Sequence, residues 1–334
     1  MTIPQKINFY PNKMPIVFSS NNNYVPYMST AIQSIMENSN SNREYIFFVL
    51  HKEIVSESMD LLKSQVSLFH NFSIEFINVS DLITKYTLFV SRHITVEAYF
   101  RFFIPEMLNE YQKAIYIDCD MVVCTDIAEL FDIDLNNHLI AAMRDIDVIN
   151  WYYGSKHSNK VKGFRNSLPL LKNPENYFCD GLCVFNTDIF SKTITTDSLF
   201  ELAVSRDWDY HDQDVLNILL EGKVYFLSFH WGIYKPKGIQ YLPENYRNEF
   251  LDAKTDPKIV HLVNKPWKQD FYTPHFELFW KYATRMPFLP IIINQMTPSI
   301  ELSLQKKVLS YIAKRKIGLK FLLFDCIKAW IFRK

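Results

Sequence analysis

Two aspartates separated by one residue follow the apolar run Ala114-Ile115-Tyr116-Ile117. Alternate residues of an extended chain share a face, so Asp118 and Asp120 can reach one cation. Carboxylate oxygens suit hard divalent ions such as Mn²⁺ and Mg²⁺, which also bind diphosphate oxygens. An Asp-x-Asp pair alone is weak evidence, because turns and helix caps use the same residues. Its place straight after an apolar strand strengthens it, since ligands of open α/β sheets bind beyond the carboxyl ends of the strands. The second segment, Ile259-Val260-His261-Leu262-Val263-Asn264-Lys265-Pro266-Trp267, sets a histidine on a strand and a lysine four residues later. The imidazole would complete a carboxylate site and shift its preference from Mg²⁺ toward Mn²⁺. The lysine would hold an outer phosphate as a point charge. Taken alone, His261 reads more simply as a packed histidine. In the third segment His211, Asp212, Gln213 and Asp214 precede an apolar helical stretch. Capping and the helix dipole account for one of these acids, not for the whole polar cluster.

The elements that must position these groups alternate in type. Pro15–Ser20 reads as a buried strand, Asn21-Asn22-Asn23 as a turn, and Met28–Asn38 as a helix with Ala31, Ile32, Ile35 and Met36 at helical spacing. Strands are expected at Tyr45–Leu50, Phe72–Val79, Ala114–Ile117, Leu139–Met143, Cys183–Asn186, Val224–Leu227 and Ile259–Leu262. Helices are expected over Glu53–Val66, Thr95–Ile104 with Pro105 near the end, Gln213–Leu220 and Phe276–Arg285. Asp147–Asn176 reads as an irregular polar loop over the site. Strands alternating with helices predict an α/β domain with a mixed, mostly parallel sheet covered on both faces. This catalytic body is expected to span residues 1–290, and residues 291–334 form an extension.

Composition removes several classes. Only seven glycines occur, and the first is Gly154. Dinucleotide fingerprints and P-loops need closely spaced glycines after an early strand, so both are excluded. The 36 basic and 36 acidic residues cancel, and no nucleic-acid partner is expected. The five cysteines form no Cys-x-x-Cys pair and read as reduced, buried thiols of a cytoplasmic protein. Residues 1–13 are polar and do not read as a signal peptide, and no apolar run approaches the ~20 residues that span a bilayer.

In their joint order these segments resemble the family 8 retaining glycosyltransferases, in particular the bacterial lipopolysaccharide galactosyl- and glucosyltransferases. The likeness runs from Pro15 to Arg285 and includes Glu97-Ala98-Tyr99-Phe100-Arg101, Tyr177–Asn186 and Phe276–Tyr282. It implies a Rossmann-like, glycosyltransferase A-type nucleotide-sugar domain and a UDP-hexose donor. Ser19, Asn21, Asn23 and Tyr24 would line the uridine pocket, and Arg101, Asp118, Asp180 and Lys265 would meet the donor sugar or diphosphate. Asp118, Asp120 and His261 would be the metal ligands. Asp212 and Gln213 would lie near the anomeric carbon as the catalytic groups. Asn21 stands where the family usually carries Asp, and its side-chain carbonyl can still accept from the uracil N3–H. Cys179-Asp180-Gly181 replaces the usual Asn-Ala-Gly or Asn-Ser-Gly, and the His-to-Lys loop is two residues shorter than usual.

Lys306–Lys334 interleaves nine basic residues with large apolar ones, including Phe324, Trp330 and Phe332. That pattern describes an interfacial helix for an anionic membrane. A lipid-linked saccharide acceptor and a peripheral place on the inner face of the cytoplasmic membrane are the matching expectations. The alternatives are a self-glucosylating or protein-directed transferase of the same fold, a metal-dependent phosphohydrolase, and an inactive carbohydrate-binding relative.

Overall fold

The computed structural model describes residues 9–10, 12–40, 42–91, 94–157, 170–267 and 275–296. The strands are β1 (Lys13–Ser19), β2 (Glu44–His51), β3 (Phe72–Asn78), β4 (Ala114–Ile117), β5 (Met121–Val123), β6 (Ile140–Arg144), β7 (Phe178–Phe185), β8 (Val224–Leu227) and β9 (Ile259–His261). Seven of them form one sheet in the order β3-β2-β1-β4-β7-β6-β8, and β5 pairs with β9 in a separate ribbon. Within the large sheet only β7 runs antiparallel to its neighbours, which gives the mostly parallel α/β architecture expected.

Strand alternation divides the core in two. Ile46, Phe48 and Leu50 face one apolar layer, together with Tyr99, Phe100 and Phe102. Tyr45, Phe47 and Val49 face the other, packed with Val25, Met28, Ile32 and Ile35 of the Val25–Asn38 helix. This period of two, buried on both faces, explains why β1 and β2 read as near-continuous apolar runs.

Several elements differ from expectation. β7 begins at Phe178 rather than Cys183, because Phe178 and Cys179 pair with Arg144 and Met143 of β6. Ile146–His157 is a helix, not a loop. Its buried positions Ile146, Val148, Ile149 and Asn150 do not fall on one helical face, which hides the helical period. The Val96–Phe103 segment is 3₁₀ rather than α, and Pro105 opens the short Ile104–Met107 helix, where proline's missing N–H costs nothing.

The packed body also passes the expected boundary at residue 290. Residues 289–296 are helical, Ile292 and Met296 are buried, and Tyr27 Oη bonds to Gln295. Removing residues 291–334 is therefore expected to lower Tm. Each of the two apolar side chains contributes about 1.5–3 kcal/mol by its burial. A chain ending after residue 296 keeps Ile292, Gln295 and Met296 and should melt above one ending after residue 290, and thermal melts of the two truncations check this. The basic, aromatic segment from Lys306 onward lies outside the described residues. Among the described residues no helix is long and apolar enough to cross a membrane.

Candidate active site

The reversed direction of β7 builds the site. Parallel β1, β4 and β6 end at one edge of the sheet, and antiparallel β7 begins there. Register pairs Ile117 with Leu182 and Arg144 with Phe178, and the Asp118 N–H donates to the Gly181 carbonyl at 2.8 Å. Asp118, Asp145 and Asp180 thus gather at one edge. The β5–β9 ribbon brings in the fourth segment. It sets Met121 opposite His261, and the Leu262 N–H bonds to the Asp120 carbonyl at 2.9 Å.

Asp118, Asp120 and His261 each offer a ligand atom, and the three atoms lie within 4.8 Å of one another. His261 Nε2 is 3.4 Å from Asp120 Oδ1 and 4.0 Å from Asp118 Oδ2. Two carboxylates and an imidazole suit a divalent cation with open positions for phosphate oxygens. Burial pushes the His261 imidazole down, but Cys179, Asp118 and Asp180 outweigh it and raise it overall. Lys265 pairs with Asp120, so the shortened loop does bring the lysine to the metal group.

Gly181 leaves room for this group. A Cβ there would lie 2.8 Å from Asp118 Oδ2, 2.8 Å from Met121 Cε and 3.0 Å from His261 Cε1. Gly181→Ala is expected to push two of the three ligands apart. Cation affinity and turnover should each fall about tenfold or more while the fold survives, which titration calorimetry with Mn²⁺ and a UDP-release assay measure.

Behind the metal group lies Arg101, almost fully buried. Its guanidinium meets Asp118 at 3.2 Å, Asp180 at 2.8 Å and Asp212 at 3.0 Å, and it stacks over Tyr116 at 4.2 Å. Tyr116 Oη also donates to Asp118 Oδ1 at 2.8 Å. Arg101, expected to meet the donor sugar or diphosphate, is also the shared counter-charge of three aspartates. Burial, with Asp212 and Asp118 nearby, pushes the Asp180 carboxyl well up, and Arg101 opposes that rise.

The His211–Leu219 helix is bolted to β7. Asn217 bonds to both the N–H and the carbonyl of Phe178 at 2.7 and 2.9 Å. Tyr177 Oη donates to Asp214 at 2.5 Å, and Asp214 also receives the Tyr210 N–H at 2.8 Å. Asp214 therefore serves packing, whereas Asp212 faces Arg101 and Gln213 receives the Asp180 N–H at 3.3 Å.

The expected nucleoside residues follow β1. Ser19 is buried, and its carbonyl accepts from the Cys119 thiol. Tyr24 lies near Cys119 and Asp118, and burial first, then those two groups, raises its phenol. Asn23 is exposed. Asn21 Oδ1 already receives the N–H groups of Asn23 and Tyr24 at 3.1 and 3.3 Å. The oxygen expected to accept from uracil thus closes a turn, and the amide N–H₂ is the end left for a base. Sequence reading missed Tyr116, Asp145 and Tyr234. Asp145 carried a signal of the Asp118 kind, an Asp-x-Asp with Asp147 just after an apolar strand, but the second acid of that pair reads as the start of a loop.

A family model described as Glycosyl transferase family 8 matches residues 15–270, most of the chain. The chain belongs to that family. General stress protein A of Bacillus subtilis (strain 168) is 25% identical over 282 residues, covering 81% of this chain and 93% of that protein. Glycosyltransferase GlyA of Streptococcus pneumoniae serotype 4 (strain ATCC BAA-334 / TIGR4) is 28% identical over 279 residues, 81% of this chain but 34% of GlyA. Among solved structures, the WbbM bifunctional glycosyltransferase in its apo form superposes with a TM-score of 0.74 at 25% identity. That match covers 86% of this chain and 52% of WbbM. This family 8 chain therefore has the glycosyltransferase A-type fold, and it spans about a third of GlyA and half of WbbM.

Proposed function

We propose that this family 8 protein is a retaining hexosyltransferase. It moves galactose or glucose from a UDP-hexose to a saccharide acceptor in lipopolysaccharide or other surface-glycan synthesis. The observation that supports the reading best is the convergence of Asp118, Asp120 and His261, with Lys265 alongside, at the carboxyl edge of the sheet. A divalent cation held there, Mn²⁺ in preference to Mg²⁺, supplies charge neutralisation for the departing diphosphate. Lys265 adds a second positive charge on that phosphate. Tyr24, Ser19 and Asn21 receive the nucleoside beyond β1. Gln213 and Asp212, placed by β7 and Arg101, face the sugar as its bond to phosphate breaks.

An acceptor has room beside the same histidine. A cavity of about 180 Å³ is lined by Tyr234, Lys235, Lys254, Val260, His261 and Asn264, among others. A lipid-linked acceptor, an anionic membrane surface bound through residues 306–334, and a place on the inner face of the cytoplasmic membrane complete the proposal. The deciding experiment incubates the protein with a UDP-sugar panel and Mn²⁺, Mg²⁺ or EDTA, and assays UDP, free phosphate and product. UDP release that needs the cation, with an α-linked product by NMR, supports it. Free phosphate as the sole product would instead mark a phosphohydrolase, and an inverted linkage would refute retention. Self-labelling without acceptor would favour a self-glucosylating enzyme.

A further inference from the structure

The side-chain amide of Gln213 is anchored at both ends. Oε1 accepts the backbone N–H of Asp180 at 3.3 Å, and Nε2 donates to Asp145 Oδ2 at 3.4 Å. The two anchors differ in kind. A peptide N–H can only donate, and the Asp145 carboxyl, whose other oxygen accepts the Val148 N–H and Tyr234 Oη, serves here as an acceptor, so one amide orientation satisfies both. Turned by 180°, the amide would set N–H₂ against N–H and oxygen against carboxylate. Neither bond is short, so the orientation comes from their opposite character rather than from the strength of either.

Asp145 is itself held firmly. It follows β6 directly, and its N–H donates to the Tyr177 carbonyl at 2.9 Å. Its Oδ1 receives Tyr234 Oη at 3.1 Å and the Val148 N–H at 3.1 Å. Tyr234 Oη in turn accepts the Asp147 N–H at 3.2 Å. The chain of bonds from Tyr234 through Asp145 to Gln213 therefore ties β6, β7 and the His211–Leu219 helix together.

Resting on the reading of Gln213 as a group at the transfer centre, we propose that Asp145 is a positioning residue. With Tyr234 behind it, Asp145 keeps the Gln213 carbonyl oxygen on the Asp180 side. That oxygen is the amide atom with partial negative charge, the one suited to face positive charge developing at the anomeric carbon. A flipped amide would present N–H₂ donors at the same place. Loss of Asp145 thus acts on the transition state more than on donor binding, and so on kcat more than on KM.

The test compares Asp145→Ala, Asp145→Asn, Gln213→Ala and the double variant Asp145→Ala/Gln213→Ala in the full chain. UDP-glucose and UDP-galactose with Mn²⁺ are the kinetic probes. Asp145→Ala should lower kcat about 10- to 100-fold with KM within about twofold of wild type. The double variant should be no slower than the slower single, since the two residues act as a unit. Asp145→Asn keeps an oxygen for the Val148 N–H and Tyr234 but turns N–H₂ toward Gln213, so it should hold the fold and still lose kcat as Asp145→Ala does, which also answers any instability of the alanine variant. A second readout needs no turnover. The Gln213 carboxamide ¹H–¹⁵N signals, assigned as the pair missing from Gln213→Ala, should exchange slowly in wild type and quickly in Asp145→Ala. Unchanged kcat in Asp145→Ala, multiplicative losses in the double variant, or Gln213 signals indifferent to Asp145 would each overturn the proposal. Wild-type turnover by Gln213→Ala would instead refute the placing of Gln213 at the transfer centre, while the exchange result still decides whether Asp145 orients it.

Discussion

Replacing Arg101 by methionine is expected to destabilise the protein by about 3–5 kcal/mol, the usual cost of stripping the partner from a buried charge. For a domain of this size that corresponds to a fall of roughly 10 °C in Tm. Turnover should vanish with it. The size follows from geometry. Methionine matches much of the volume and keeps the packing over Tyr116, yet it leaves Asp118, Asp180 and Asp212 crowded together without their common cation. Arg101→Lys should rescue little, because an ammonium cannot present the planar fork that now meets three carboxylates from three elements. The loss should also depend on pH. Asp180 already has a raised pKa when folded, and removing Arg101 raises it further. The folded variant then binds more protons than the folded wild type. By linkage its deficit is greatest at alkaline pH and shrinks as pH falls toward the ordinary carboxylate value near 3.9. Thermal melts of both proteins in EDTA between pH 5 and pH 8 check magnitude and sign. A deficit independent of pH would mean that lost packing, not uncompensated charge, dominates.

The same cluster shows where sequence reading stops. β4 and β8 match their expected bounds, because each is a short apolar run with turn residues at its ends. Asp118 and Asp120 were legible for the same reason, as acids at the end of such a run. The direction of β7 was not. It depends on pairing between residues more than sixty positions apart in the chain, and Cys179-Asp180-Gly181 has the look of a turn. Without β7 reversed, Asp180 and Gly181 could not approach Asp118, and Arg101 would not gather three aspartates. β5 was missed because its three residues carry no period, although it is the strand that pins His261 beside Asp120. The helix at Ile146–His157 hid because its apolar residues do not line one face, and it took Asp145 with it. Residue types announced the chemistry, whereas the spacing between the groups was written in long-range pairing.

Alanine at Asp118, Asp120 or His261 is expected to reduce turnover of a UDP-sugar by at least about a thousandfold, since on the proposed function each change removes one of three ligands from the cation that neutralises a departing diphosphate. The three should differ in what else they change. Asp120→Ala removes one partner of Lys265 but leaves the lysine's own charge for phosphate, so UDP binding should weaken less than turnover. Asp118→Ala also withdraws a bond from Tyr116 and Arg101, so it alone should cost stability, about 1–3 kcal/mol for the buried partners left unmatched. His261→Ala touches no carboxylate bonded to Arg101 other than through the metal group, and it should shift preference from Mn²⁺ back toward Mg²⁺, because the imidazole is the softer ligand. Cation binding gives an independent measure. Mn²⁺ at 100 times its Kd should stabilise the wild type by about 2.7 kcal/mol, and each variant should lose most of that gain. Melts with and without Mn²⁺, beside UDP-release rates over a range of Mn²⁺ and Mg²⁺ concentrations, separate the three cases. Full turnover by any one variant without excess metal would remove that residue from the ligand set, and equal wild-type activity in EDTA would remove the metal from the reaction.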